Sequence, residues 1–544
     1  MKHIKKSALW IILISSVLLS FKAVDDYFEV SKNLDIFSTA YREVNTNYVD
    51  EVKPGELIRA AMDGMLKSLD PYTVYYSEAQ AEDYRFQVTG TYAGIGATIR
   101  KIGEDIVIDA PYEGFPAQKA GLRAGDVILS VDDESMIGKS TSEVTTFLKG
   151  KAGTSVILNV RRPGKGDLSV AVEREMIKRK NVPYQAKLDN EVGYIKLVGF
   201  TPGAASEVRS ALLELKKQGA NSIILDLRGN GGGLLHEAVA IVNLFVPKGK
   251  TVVITKGKHS EEDRIYKTLN NPIDTETPMV VFIDERSASA SEIVSGALQD
   301  LDRAVVVGNR SFGKGLVQRP KKLTYGTQLK VTISRYYTPS GRCIQALDYW
   351  NRDEEGNAVR TKQENITEFK TKNGRSVFDG GGVQPDVELL NLKQTNVTKN
   401  ILKDDLIFNY ATNYFYNNSV ADYNGFKLSD VDFNNFKSYL KSNNFSYKTK
   451  TEGALEKAMK IASEEELLGN LSNSYSNLTN ELNAIKNKAI DSNKDQILML
   501  LENEIVKRYF YREGMYEYVL KNNDVVNKAK EILSEKQKYL SYLK

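Results

Sequence analysis

Hydrophobic and polar positions change rhythm several times along this chain, and each change marks an element boundary. Lys2, His3, Lys5 and Lys6 precede an apolar run from Ala8 to Phe21. That run is shorter than the roughly 20 apolar residues of a membrane span and lies within the about 7 to 15 of a signal segment. The positions available for cleavage, Leu18/Ser20 and Phe21/Ala23, fit a small-x-small site poorly, so residues 1–25 read equally as a signal peptide or a retained anchor. Either way the remainder is expected outside the cytoplasmic membrane, in the periplasm or cell envelope, and attached to the inner membrane if the segment is kept. Over residues 26–85, Ile36, Tyr41 and Val44, then Leu57, Ala60, Met62, Met65 and Leu66, recur at helical spacing around the turn-rich LDPYT of Leu69–Thr73. Residues 86–176 switch to short alternating strands and glycine turns (GTYAGIGATI, DIVIDA, GLRAGDVILSVDD, TSVILNVRR), predicting a mostly β module with one or two helices.

From 177 to 390 the strands VGYIKLVGF, SIILDLRGN, PMVVFIDE, AVVVGN and TQLKVTISRYY alternate with helical patterns at Ala204–Gln218 and His236–Phe245, which predicts an α/β core. Residues 391–544 are rich in Lys, Asn, Glu and Tyr with long helical periodicity and no proline, so a helical C-terminal extension is expected. The balance of 41% hydrophobic and 26% charged residues over 544 positions is that of a folded chain with several domains. A net charge of +4 gives no basic field for nucleic acid. Cys343 is the only cysteine, which excludes an internal disulfide framework and a CxxC pair. His3, His236 and His259 are the only histidines; none forms HExxH, and no GxSxG elbow occurs. Chemistry in this chain is therefore expected to run without histidine, metal or cofactor.

Two segments carry candidate chemistry. SASASEIVSGALQD, Ser287–Asp300, follows the strand PMVVFIDE, and a serine at a strand-to-helix turn sits where unpaired helix N–H groups can hold a developing oxyanion. Ser289 with Glu292 also satisfies S-x-x-E, a capping box, so the purely structural reading stands beside the nucleophile. Downstream, Gly308, Gly313 and Lys314 fit part of a phosphate loop, but Gly315 replaces the hydroxyl residue, and IGKST at Ile137–Thr141 has Asp133 where the first glycine belongs. A Lys314 buried beside Ser289 would instead become a neutral general base, which a histidine-poor serine hydrolase needs. The second segment, DLRGNGGGLL at Asp226–Leu235, offers Gly229 and Gly231–Gly233 for close backbone approach, as an oxyanion loop or an ordinary turn. Leu234 breaks the GxGxxG pattern of dinucleotide binding.

Taken in order, GIGA at Gly94–Ala97, GLRAGDVILSVDD at Gly121–Asp133, DLRGNGGG, SASASEI, FGKGLVQ, YYTPSGRCIQ at Tyr336–Gln345 and GGVQPDV at Gly381–Val387 follow the arrangement of the carboxyl-terminal processing peptidases, or tail-specific proteases. The chain resembles that family from about Asp25 to Glu388. The resemblance implies a crotonase-like or ClpP-like α/β protease core with an inserted PDZ domain. It assigns Ser289 as nucleophile, Lys314 as general base and Gln318 as the residue that orients the lysine. The oxyanion N–H groups map to Gly233 and Ala290, and the PDZ loop that captures a substrate's terminal carboxylate maps to Gly94, Ile95, Gly96 and Ala97. Gating by PDZ charges such as Arg123 is a further implication. Implied partners are polypeptide C-terminal tails, with an activating adaptor or lipoprotein and a homo-oligomer left open. Two rivals remain: an inactive PDZ scaffold of the envelope, and an acyl-CoA enzyme on a crotonase-like fold, which export would separate from its cofactor.

Overall fold

The computed structural model describes residues 27–389, 394–521 and 523–544. The segment read as signal or anchor lies outside them, and no described helix is long and apolar enough to cross a membrane. The chain divides into two compact units: the residues up to Ala81 with Gln318–Thr332, and Glu82–Val317 with Ile333–Lys544.

The smaller unit holds a helix over residues 27–47 and a second, Pro54–Lys67, which begins on a proline whose missing N–H costs nothing there. The LDPYT turn is made by Asp70, whose carboxylate accepts the N–H groups of Tyr72 and Thr73 at 2.8 and 2.7 Å. Strand Val74–Tyr76 then pairs antiparallel with residues 328–330.

In the larger unit the core is a six-stranded sheet in the order Tyr184–Leu188, Val192–Lys196, Ser222–Asp226, Met279–Ile283, Val305–Gly308, Val387–Glu388. Its first pair is antiparallel and the others are parallel. The four central strands are buried throughout, which is why they read as unbroken apolar runs and not as alternation. Helices Ala204–Lys217, Leu235–Phe245 and Ala290–Asp300 cover one face through Leu212, Ile241 and Val294. The other face is covered by the end of the C-terminal extension, where Val526, Ala529 and Ile532 of Asp524–Ser534 pack on Ile224, Val280 and Val305. The extension is thus part of the core and not only an accessory.

The β module is an antiparallel sheet in the order Ala97–Ile102, Asp105–Pro111, Val127–Val131, Ser155–Arg162, Gly166–Glu173, closed at its base by Thr91–Gly94 pairing with Glu175–Lys178. The closing strand runs past residue 176, and helix Glu78–Thr89 runs across residue 85, so both expected boundaries fall inside elements. Ala97–Ile102 is an edge strand and packs beside helix Thr141–Leu148. Arg100 on that strand reaches Asp405 of the C-terminal helices at 2.7 Å. Those helices include Lys494–Lys521, which is broken at Phe510 (φ −125, ψ 18) and Tyr511 (φ 53, ψ −162).

Candidate active site

The three serines of SASAS have different duties. Ser287 and Ser291 are fully buried, and their hydroxyls donate to the carbonyls of Leu227 at 2.9 Å and Asn230 at 2.8 Å. Ser289 between them is half-buried, makes no side-chain cap bond, and sits at φ 57, ψ −113 at the start of helix Ala290–Asp300. Such a conformation costs a non-glycine residue about 1–3 kcal/mol and persists only where the surroundings impose it. Here the surroundings are a carboxylate below and a phenol beside it. Glu292 Oε2 accepts the Ser289 N–H at 2.7 Å, and the Tyr336 hydroxyl donates to the Ser289 carbonyl at 3.1 Å. The helix N–H of Glu292 goes to the Ser289 carbonyl at 2.8 Å, so the serine hydroxyl is not spent on capping. The expected capping box is present: Glu292 takes the Ser289 N–H, and the Ser289 side chain faces the Glu292 N–H without completing a cap hydrogen bond.

Glu292 and Tyr336 also hold the lysine loop. Glu292 is fully buried and accepts from the Lys314 N–H at 2.9 Å, the Gly313 N–H at 2.7 Å and the Ser311 hydroxyl at 2.5 Å. Burial pushes its carboxyl up, against the pull of these donors. The Tyr336 N–H donates to the Gly315 carbonyl at 2.9 Å, and Gln345 Oε1 accepts the Gly315 N–H at 2.8 Å. Gly313, at φ 89, has no room for a side chain, since an added Cβ would come within 2.3 Å of Ala346 Cβ. The Lys314 side chain is half-buried.

The glycine loop closes the third side. Gly232, at φ 98, abuts the serine turn: a Cβ there would lie 2.6 Å from the Ala288 carbonyl oxygen and 2.9 Å from the Ala290 nitrogen. Its own N–H is spent on Asn230 Oδ1 at 2.9 Å. Gly233 bridges Phe200, but that bridge uses the Leu234 N–H onto the Phe200 carbonyl at 2.8 Å, which leaves the Gly233 N–H outside both bonds. Ala290 is the first residue of its helix, where N–H groups have no partner within the helix. Asn230 locks loop to turn, its carbonyl accepting from the Ala288 N–H at 3.0 Å as well as from Ser291. At the loop's entrance the buried Asp226 accepts from Tyr194, Lys196 and Arg228 at 2.6, 3.1 and 2.6 Å.

The sequence is similar to known proteins and families. Residues 191–349 match peptidase family S41, residues 107–162 a PDZ domain, residues 19–80 the activating protease CtpB N-terminal domain, and residues 397–533 the C-terminal helical domain described for a "Probable PDZ-protease". A "Probable CtpA-like serine protease" of Staphylococcus epidermidis is 36% identical over 338 residues, 61% of this chain and 68% of that protein. The chain belongs to peptidase family S41, among the PDZ-containing C-terminal processing proteases. A "Probable CtpA-like serine protease" of Staphylococcus aureus is 39% identical over 316 residues, 57% of this chain, and the matched region spans 62% of that relative's length. The solved photosystem II D1 C-terminal processing protease is 30% identical, covering 65% of this chain and 92% of that one, with a TM-score of 0.35.

For an S41 chain the remaining expected residues fall as follows. Gln318 lies in the smaller unit, where its amide donates to Thr332 Oγ1 at 3.1 Å. Gly94 ends the strand paired with Glu175, and Ile95, 2% exposed, is in the module's core. Gly96 takes φ 73, packed so that a Cβ would meet Phe115 Cβ at 2.6 Å, and Ala97 opens the edge strand opposite Pro111. The Ile95 and Gly96 carbonyls accept from Ala117 and Tyr112 at 2.7 and 2.8 Å, which anchors this turn to the module. Sequence reasoning missed Tyr336 as a site residue and saw Glu292 only as a cap. The signal for Glu292 was present in the run SASASE; for Tyr336, 47 residues from Ser289, there was none beyond its place in YYTPSGRCIQ.

Proposed function

We propose that this chain is a serine endopeptidase that captures polypeptide C-terminal tails in its PDZ module and cleaves peptide bonds with Ser289 as nucleophile and Lys314 as general base. The observation that carries the reading is the division of labour in SASAS: the two flanking hydroxyls are consumed by structure, and Ser289 alone is presented, strained, beside unspent N–H groups. The backbones of Ser289 and Lys314 meet on one oxygen of Glu292, which supports their acting as a pair. In the reaction, neutral Lys314 takes the Ser289 hydroxyl proton and the alkoxide oxygen attacks the peptide carbonyl. The N–H groups of Gly233 and Ala290 hold the oxyanion, the protonated lysine returns its proton to the leaving amine, and water releases the acyl-enzyme. A tail adds as a strand to the open edge of Ala97–Ile102, its carboxylate at the Gly94–Ala97 turn. The basic and then apolar leader, Lys2–Phe21, supports export to the cell envelope.

The test is degradation of an unfolded reporter with an apolar C-terminal tail by the chain from about residue 26. Ser289→Ala and Lys314→Ala are each expected to lose nearly all activity without adding to one another. Activity should rise with pH, because only neutral lysine accepts a proton, and amidating the tail should slow cleavage. Substantial residual cleavage by either variant overturns the assignment.

A further inference from the structure

Away from Ser289, a cavity of about 630 Å3 opens where three distant stretches of chain meet: residues 109–115 and 122–124 of the β module, residues 178–183 at the entry to the core, and residues 507–513 of the broken C-terminal helix. Neither the edge strand Ala97–Ile102 nor helix Thr141–Leu148 lines it; Pro111, Tyr112 and Phe115 of its wall back onto the Gly94–Ala97 turn, so it adjoins the proposed tail site but is lined by different residues. Its charge is lopsided. Seven Lys and Arg residues face three carboxylates around the wall, and one of the three, Asp109, is already paired with Arg100. Lys507 and Arg508 share Glu504 at 2.6 and 2.8 Å. Arg123, Lys178, Arg179, Lys180 and Arg512 have no ion pair among the described residues.

Five cations without ion pairs against two carboxylates, Glu113 and Glu513, leave a positive excess around one cavity of a +4 molecule, which carries an electrostatic cost that an anionic occupant reduces. Two further observations point the same way. Arg508 is only 1% exposed in its side chain, and its Nε has no hydrogen-bond partner. Tyr511, which lines the cavity, breaks its helix at φ 53 and is fixed there by the Gln118 amide of the β module, donating to its hydroxyl at 2.8 Å. Backbone strain of this kind concentrates at functional sites.

The wall between the cations is aromatic and apolar, and Arg123 and Arg512 already lie over the rings of Phe415 and Tyr112 at 5.9 and 5.5 Å. A lone inorganic anion leaves such a volume unfilled, whereas cavities of about 300–1,000 Å3 suit ligands of several linked groups. We propose that this cavity binds a short acidic peptide segment, its Asp or Glu carboxylates on the unpaired Arg and Lys side chains and its apolar or aromatic residues against the rings. Because the cavity is built jointly by the β module, the core and the C-terminal helices, such a segment would clamp the three together.

The probe is a fluorescent peptide alternating Glu with Tyr, acetylated and amidated so that it presents no terminal carboxylate to the Gly94–Ala97 turn. Its binding is read by anisotropy on the described chain carrying Ser289→Ala, so that the probe is not consumed. Saturable binding that weakens as salt is raised is expected. Arg179→Glu with Lys180→Glu, and separately Arg123→Glu with Arg512→Glu, should each weaken it by about tenfold or more, as should replacing Glu by Gln in the probe. An apolar peptide with a free C-terminus should not compete. The proposal is overturned by absence of binding, by equal binding to charge-reversed variants whose thermal unfolding is unchanged, by equal binding of the Gln probe, or by full displacement with inorganic phosphate or an apolar tail peptide.

Discussion

A single carboxylate oxygen, Glu292 Oε2, accepts the N–H of Ser289 at 2.7 Å and that of Lys314 at 2.9 Å, while its partner oxygen takes Gly313 and Ser311. Four donors converge on two acceptor atoms, which a carboxylate satisfies and an amide cannot. Glu292→Gln presents one oxygen and one NH2 to the same four donors, so at least one buried N–H or O–H loses its partner, at about 1–3 kcal/mol. The consequence for catalysis is positional, since the turn of the proposed nucleophile and the loop of the proposed base are both referenced to this group. A misplacement of about 1 Å costs on the order of 100-fold, so kcat should fall by one to two orders of magnitude. KM for a tail peptide should hold, because tail capture is proposed for a different module. Labelling of Ser289 by a fluorophosphonate separates the roles: slower labelling of fully folded Glu292→Gln supports positioning, whereas normal labelling of a smaller folded fraction means that Glu292 only stabilises.

At the scale of elements, the run Gly231–Gly233 shows why adjacent identical residues differ. Gly232 needs both its φ of 98 and its missing side chain, because a Cβ would sit 2.6 Å from the Ala288 carbonyl; Gly231 has nothing within 4 Å and an ordinary φ. Gly232→Ala should push the loop off the serine turn and separate the N–H groups of the proposed oxyanion donors Gly233 and Ala290, lowering kcat by about 100-fold or more, the usual cost of losing such a donor. Gly231→Ala should change stability by no more than about 0.5 kcal/mol and leave kcat intact. Equal loss in both variants would place the contact elsewhere in the loop. The strands flanking this loop were legible as continuous apolar runs, and the loop and serine turn were legible as motifs. Which glycine touches the turn was not, since three equal residues are distinguished only by what the fold brings against them: the serine turn for Gly232 and Phe200 for Gly233. The S-x-x-E pattern is the capping box it was read as, but a local pattern cannot show that a tyrosine from a remote strand and the Lys314 loop converge on the same two residues.

For the whole molecule, what sequence could not show is closure over long distances: the C-terminal helices reading as an appendage yet covering the second face of the sheet, and the basic cavity assembled from three separated segments. Asp226 lies in this core and ties it to pH. The buried carboxylate faces a desolvation cost that would raise its pKa, but Arg228 and Lys196 overcome it and hold the carboxyl well below the usual range. A depressed folded pKa means that the stabilisation is complete above the ordinary carboxylate value of about 3.9 and is lost as pH falls through the lower, folded value. The wild type should therefore keep this contribution from neutrality down to about pH 4 and surrender it only in stronger acid. Asp226→Asn leaves Lys196 and Arg228 buried without their counter-charge, so at pH 7 it should cost about 3–5 kcal/mol. Protonating the wild type mimics the variant, and the difference between them should shrink steadily below about pH 4. Hydrogen exchange of the strand Ser222–Asp226, followed as pH is lowered, reads that difference inside the core itself. A gap that stays constant into strong acid would mean that Asp226 contributes by shape and hydrogen bonding and not by its charge.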